Sequence, residues 1–218
     1  MPNWCFNTLT VSSENSDDLK KFLFENKNGK DQLLDFNNVI ALPEEINNSN
    51  SNLSDNEKKN LIQKYGADNW RNWQVNNWGT KWNATNVNLV MDENLNYSFD
   101  SAWSPPVEWF YKLIQKYPEL DLNLDYEEPS CDLAGYISFC NGDLTANKYE
   151  LSVRVWEKCD KNIVNETIKN EVQKYELRDD KDDDIENITY NVIDMLSDDI
   201  DNVSSIYCYV KEIVENLI

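Results

Sequence analysis

Alternation and helical spacing divide the chain into a long mixed stretch and a terminal run of helices. Residues 4–12, WCFNTLTVS, alternate, with Trp4, Phe6, Thr8 and Thr10 on one face and Cys5, Leu9 and Val11 on the other, which predicts a strand. Ser16 followed by Asp17 and Asp18 predicts a helix start, with Ser16 as cap and acids at the positive end of the helix dipole. Leu19, Phe22 and Leu23 give that helix an apolar stripe, to about residue 26. Residues 33–42, LLDFNNVIAL, predict a second extended segment closed by Pro43. Residues 46–55 are mostly Asn, Ser and Asp and predict a loop. Ser54 with Glu57 is a capping-box pattern for a helix over residues 55–65. Trp70, Trp73 and Asn77 have helical spacing, and Asn77-Trp78-Gly79-Thr80 predicts a turn.

Val87, Leu89 and Met91 alternate with polar neighbours, as do Leu95, Tyr97 and Phe99, and Asp92-Glu93-Asn94 is the expected hairpin loop. Ser104-Pro105-Pro106 opens a helix whose one side carries Val107, Phe110, Tyr111, Ile114 and Tyr117, and Pro118 stops it. Residues 120–126, 133–140 and 149–155 predict three further strands, with Asn141-Gly142-Asp143 as a hairpin turn. Past Trp156 the period becomes helical, over residues 162–177, 185–200 and 204–217. The fold class is therefore α+β: an antiparallel sheet with helices on one face over residues 1–156, then an acidic helical segment over residues 157–218.

Charge sharpens that division. The 218 residues carry a net charge of −20. Residues 157–218 hold 17 acidic and 7 basic residues, a net of −10, so they are about two and a half times as acidic per residue as the part before them. Such a chain is repelled by nucleic-acid phosphates and attracted to basic protein surfaces. No direct nucleic-acid binding is expected. A solubilising surface explains the same charge with no partner at all. Asparagine makes up about one residue in seven, above ordinary usage.

There is no histidine, which removes the usual general base near neutral pH and the commonest metal ligand. Cys5, Cys131, Cys140, Cys159 and Cys208 are odd in number and lack the close spacing of a zinc or redox pair. Met1-Pro2-Asn3-Trp4 has neither the basic start nor the apolar run of a signal peptide. Reduced thiols in the cytoplasm of a bacterial host, with no membrane association and no cofactor, are the expectation.

The order Met1-Pro2-Asn3-Trp4-Cys5-Phe6-Asn7, Asn77-Trp78-Gly79-Thr80-Lys81-Trp82, Ala102-Trp103-Ser104-Pro105-Pro106, Trp109, Tyr117-Pro118, Tyr126-Glu127-Glu128 and Gly135 resembles the Api92-like family over residues 1 to about 142. The resemblance implies a ferredoxin-like core and a phage or plasmid setting. It implies no catalytic residue. The Asn-rich stretch at 46–55 departs from the family pattern, and the acidic tail after residue 156 has the look of an addition to it.

Three sets of residues are candidates for chemistry. Trp78, Lys81 and Trp82 can form an aromatic platform for a base, sugar or cation, or simply fill the core. Glu127, Glu128 and Asp100 end strands and can pair for acid–base or metal-dependent hydrolysis, although nothing in their spacing selects a pair. Asp179, Asp180, Asp182, Asp183 and Asp184 with Asp194, Asp198, Asp199 and Asp201 can spread negative charge along a helical surface and compete for a protein's nucleic-acid channel. The run at 179–184 lacks the alternating ligands and central glycine of a calcium loop, so no metal site is expected there. The leading expectation is a non-enzymatic mobile-element protein that binds and inhibits a nucleic-acid-handling defence protein of its host, of the anti-CRISPR or anti-restriction type. The alternative is a small-ligand or nucleotide module on the tryptophan-rich face.

Overall fold

The structure, a computed structural model, describes residues 3–49, 53–175, 181–201 and 203–218. Its contacts define two compact units. One comprises Met1–Glu128 and Gly135–Lys148, the other Pro129–Ala134 and Tyr149–Ile218.

The first unit is organised by β1 (Trp4–Ser12), which lies between β3 (Leu95–Ala102) and β4 (Asp121–Glu128) and is antiparallel to both. Leu9 stands opposite Tyr97 on one side and Leu124 on the other. β2 (Thr85–Met91) forms the predicted hairpin with β3. β5 (Leu133–Cys140) and β6 (Asp143–Glu150) complete the order β2-β3-β1-β4-β5-β6. With α1 (Ser16–Asn26) after β1 and α5 (Val107–Lys116) after β3, the first four strands follow the βαββαβ path of a ferredoxin-like core. Between α1 and β2 the chain inserts α2 (Glu44–Asn47), α3 (Asp55–Tyr65) and α4 (Trp70–Trp78).

Alternation along β1 decides which face is covered. Cys5, Asn7, Leu9 and Val11 are buried, while Phe6 and Thr8 are exposed. Phe22 of α1 packs on Tyr97 of β3 and on Tyr117, with ring centroids 6.1 and 5.1 Å apart. Phe36 meets Trp109 at 4.5 Å, Trp78 at 5.8 Å and Phe99 at 5.9 Å, tying α5 and α4 to the sheet.

Phe36 lies in the segment expected to be extended, and here the structure differs. Residues 36–38 form a short 3-10 turn instead. The cause is Asp35, whose carboxylate accepts the backbone N–H and side-chain amide of Asn37, both at 2.9 Å, and the amides of Asn28 at 2.8 Å and Asn83 at 2.7 Å. Side chain to backbone bonding of this kind competes with strand pairing. Two smaller boundaries also depend on local polar bonds. Asn15 caps α1 by accepting the Asp17 N–H, so Ser16 is the first helical residue. The Ser54/Glu57 capping box opens α3 as expected.

The second unit is helical: α6 (Leu151–Lys158), α7 (Lys161–Lys174), α8 (Lys181–Met195) and α9 (Tyr207–Glu215). Of the strand expected over 149–155, Tyr149 and Glu150 end β6 and the remainder is the start of α6. Leu151 and Val155 satisfy a period of two and a helical i,i+4 step alike. Asp132 decides between them by accepting the N–H and hydroxyl of Ser152, both at 2.7 Å, in the first turn of the helix. The core holds Val164 and Ile168 of α7, Ile185, Ile188 and Val192 of α8, and Val210 and Val214 of α9. Trp156 stacks on Tyr209 with rings 5.2 Å apart and nearly parallel. α8 stops at Met195, short of the expected residue 200, in a turn held by Ile200 N–H to Leu196 O at 3.0 Å.

Burial pushes the Asp35 carboxyl up, but the hydrogen bonds from Asn28, Asn83 and Asn37 outweigh it and hold it below the ordinary aspartate value. A depressed folded-state value stabilises fully above the unfolded pKa of about 3.9, and the contribution is lost as pH falls through the folded value. Asp35→Ala is expected to lose about 1–3 kcal/mol of unfolding free energy in urea at pH 7. The gap from the wild type narrows below about pH 4. A gap that stays constant down to pH 3 would refute this role for Asp35.

Candidate functional site

Two of the fragments that carried the family resemblance, residues 77–82 and 102–106, meet at one corner of the first unit, with Asn7 of a third beside them. α4 ends at Gly79, which has a left-handed backbone with φ 84°. A Cβ at this position would lie 2.9 Å from Val107 N and 3.2 Å from Pro105 O, so the close approach to the first turn of α5 requires glycine. Ser104 Oγ donates to Gly79 O at 2.6 Å, and Thr80 Oγ1 donates to Ala102 O at 2.8 Å. Ser101 Oγ donates to Ser104 O at 2.8 Å and accepts the Asn7 amide at 2.9 Å. The two sequence fragments are therefore stitched together through buried polar bonds, and Asn7 joins both to the central strand. Gly135 serves a similar purpose on β5, where a side chain would collide with the Tyr126 hydroxyl.

Trp103 sits within this corner and is unusual. Its backbone is left-handed, with φ 73°, a conformation that bulky residues rarely adopt. Its N–H donates to Asn3 O at 2.9 Å, and its side chain remains 49% exposed. Strain at an exposed aromatic is imposed here by the bonds on either side of it.

The expected platform of Trp78, Lys81 and Trp82 is only partly assembled. Trp78 is enclosed at 1% exposure, its indole N–H donates to Ile40 O at 2.9 Å, and Trp73 and Phe36 pack on its ring. It is a core residue, enclosed by Trp73 and Phe36. Trp82 is half-buried and pairs instead with Trp4, centroids 6.0 Å apart, while the Lys81 ammonium lies 4.7 Å over the Trp82 ring. Trp4 was the missing partner, visible in the sequence only as an outward position of β1.

The strand-end carboxylates fall on opposite faces. Glu127 and Asp100 both stand beside Phe6 on the outer face of the sheet, and Asp100 accepts the Asn86 amide at 2.7 Å. Glu128 points inward and is fully buried, with both oxygens lacking a hydrogen-bond partner among the described residues. Burial pushes the nearby Cys5 thiol up to about 12, so it stays protonated at neutral pH. Among the described residues, no group of three or more Cys, Asp or Glu is placed to hold a metal ion.

The acidic residues of the second unit separate into two groups. Asp179 and Asp180 lie outside the described residues. Asp182 and Asp183 are exposed in the first turn of α8, where the helix dipole favours them. Asp184 is fully buried and does not belong to an acidic surface. It follows the exposed pair by one position and falls next to Ile185 on the inward side of the helix. Asp194 lies in the last turn of α8, and Asp198, Asp199 and Asp201 in the turn beyond it, all exposed. The rise of an α-helix puts Asp183 and Asp194 roughly 16 Å apart along α8, so the surface is not one continuous strip.

Gly79→Ala forces a side chain into the first turn of α5 at a left-handed position and is expected to cost about 2 kcal/mol or more. Trp103→Gly relieves a strained backbone of about 1–2 kcal/mol and is expected to cost less than Gly79→Ala. Urea unfolding compares the two. A larger loss in Trp103→Gly would make its ring a packing element.

No curated protein matches the chain. A solved structure, of a protein api92 from Yersinia pseudotuberculosis, is similar at 12% sequence identity and a TM-score of 0.43, over 68% of this chain and 98% of that one. A family model described as "Ferredoxin-like domain in Api92-like protein" matches residues 77–178. The match starts at the Asn77-Trp78-Gly79 corner and runs beyond the expected limit near residue 142, so it takes in α6 and α7. Over residues 77–178 the chain is thus similar to the ferredoxin-like domain of Api92-like proteins.

Proposed function

We propose that this is a non-enzymatic protein that binds the basic, nucleic-acid-handling surface of a host defence protein, of the anti-CRISPR or anti-restriction type, through carboxylates of its second unit. The observation that carries this reading is the placement of Asp194, Asp198, Asp199 and Asp201. They are exposed and crowd the C-terminal end of α8. That end of a helix carries partial negative charge, so acids there work against stability. A surface that only needed solubility has no reason to concentrate them at the unfavourable end. A basic partner surface gives such a reason, since it turns the same crowding into attraction and faster encounter.

The phage or plasmid setting that the family resemblance implies agrees with a host target. Among the described residues no helix is long and apolar enough to cross a membrane.

The test replaces all four by asparagine in the full chain. The variant is expected to melt a few degrees higher than the wild type and to lose at least about tenfold in affinity for the captured partner, a difference of about 1.4 kcal/mol. The partner is a nucleic-acid-binding protein retained from bacterial lysate and released by duplex DNA or RNA. If no such protein is retained, or if the variant retains it equally well, the reading fails.

A further inference from the structure

The six-stranded sheet ends on β2 and β6, whose outer edges pair with no strand among the described residues. An edge strand presents a row of unpaired backbone N–H and C=O groups, and chains ordinarily blunt it with charged side chains. β6 does so, with Asp143, Lys148 and Glu150. β2, of sequence TNVNLVM, carries neither charge nor proline. A bulge between Thr85 and Asn88, with Asn86 at φ 51°, bends its start. From Asn88 to Met91 the strand is regular and pairs in step with Ser98, Tyr97, Asn96 and Leu95 of β3. Two apolar side chains of this regular stretch stand in solvent, Val90 at 62% exposure and Met91 at 63%. As neighbours they lie on opposite faces of the sheet. Leu89, on the same face as Met91, is half-buried.

We propose that the outer edge of β2 docks the β2 edge of a second copy of this chain, antiparallel, about a two-fold axis through Val90. Three features select that occupant. First, two copies of net charge −20 repel each other, and their approach is least opposed along a strand with no ionised side chain. Second, the strand matches itself. A two-fold axis perpendicular to the sheet brings like faces together, so it passes through a residue and not between two. Through Val90 it sets Val90 opposite Val90, Met91 opposite Leu89 and Asn88 opposite Asp92. Apolar residues then meet apolar ones, and the acid meets an amide. Both polar groups keep their local bonds, Asp92 Oδ1 from Asn94 N–H at 2.9 Å and the Asn88 amide to Asn86 O at 3.3 Å, so no buried charge is created. An axis through Leu89 would draw the bulge into the pairing, and one through Met91 would oppose Asp92 to Val90 and Glu93 to Leu89. Third, the axis through Val90 covers the two apolar side chains that the strand otherwise leaves in solvent. The contact is small, about five residues a side against the roughly 20–30 of a standard interface, so the dimer forms weakly and reversibly.

The inference uses none of the α8 carboxylates, so it and the proposed function can fail separately. The experiment is sedimentation equilibrium of the full chain under reducing conditions, up to about 1 mM protein. A monomer–dimer equilibrium is expected, and it tightens as salt screens the repulsion between copies. Val90→Lys puts like charges on the axis and is expected to weaken dimerisation at least tenfold, about the scale of a cross-strand repulsion acting with lost apolar contact. Leu144→Lys on β6 leaves it unchanged. Thermal melts of both variants control for folding, which substitution at exposed positions should preserve. In Val90→Cys the two thiols face each other across the axis, with Cβ atoms about 4.5–5.5 Å apart. Mild oxidation is expected to join position 90 to position 90, as mass mapping of the cross-linked peptide reads out. A chain that stays monomeric at the highest concentration, a dimer that Val90→Lys leaves intact, or cross-links that run only through the native cysteines would each overturn the proposal.

Discussion

Everything in the first unit depends on the two-sided pairing of β1. The strand has neighbours on both edges and helices over one face only, so each of its residues has a single permitted direction. A slip of one position would put Leu9 and Val11 into solvent and Thr8 and Thr10 into the core. Burying Leu, Val and the rings of α1 and α5 holds the register through the hydrophobic effect, and that same register brings Asp100 and Glu127 up beside Phe6. The charged outer face is therefore a consequence of the packed inner one. It cannot be rearranged without unfolding the core.

The tryptophan corner is the second constraint, and it acts through backbone rather than bulk. Gly79 lets α4 end against the start of α5, and the hydroxyls of Thr80, Ser101 and Ser104 satisfy carbonyls that the close approach would leave unpaired. This explains why the recognisable fragments combine Trp with Gly, Ser, Thr and Pro. The rings fill volume, and the small polar residues make the approach possible. Trp103 is caught between these bonds in a backbone conformation it would not choose.

Elements with one consistent signal were legible in the sequence. The capping box at Ser54 and Glu57 and the β2–β3 hairpin each had local propensity and periodicity in agreement, and each lies where expected. Helix α5 also forms where expected, but it buries Trp109, Phe110 and Leu113, while Val107, Tyr111 and Ile114 of the expected stripe are only half-buried. The failures share a cause. Residues 33–42 and 149–155 carry enough β-branched and aromatic residues for a strand, but Asp35 and Asp132 redirect them through hydrogen bonds to partners that local pattern does not reveal, Asn83 and Ser152. The candidate sites fared the same way. Exposed Asp194, Asp198, Asp199 and Asp201 could be read from charge density, but Asp184 and Trp78 are buried by helix phase, and no composition argument sees phase. Trp4 was hidden because its partner Trp82 lies far along the chain.

The two acidic regions differ in what restrains them. The α8 carboxylates are long-range charges on a helix end and a turn, set where the helix dipole opposes them, so their value to a partner is mainly steering and speed of encounter. The carboxylates beside Phe6 are held by strand register around a ring, so they offer direction and a fixed spacing. Steering decays with salt over about a Debye length, whereas contact on a rigid sheet does not decay in that way. If the α8 carboxylates engage a basic partner as proposed, added salt should slow its association more than it speeds its dissociation.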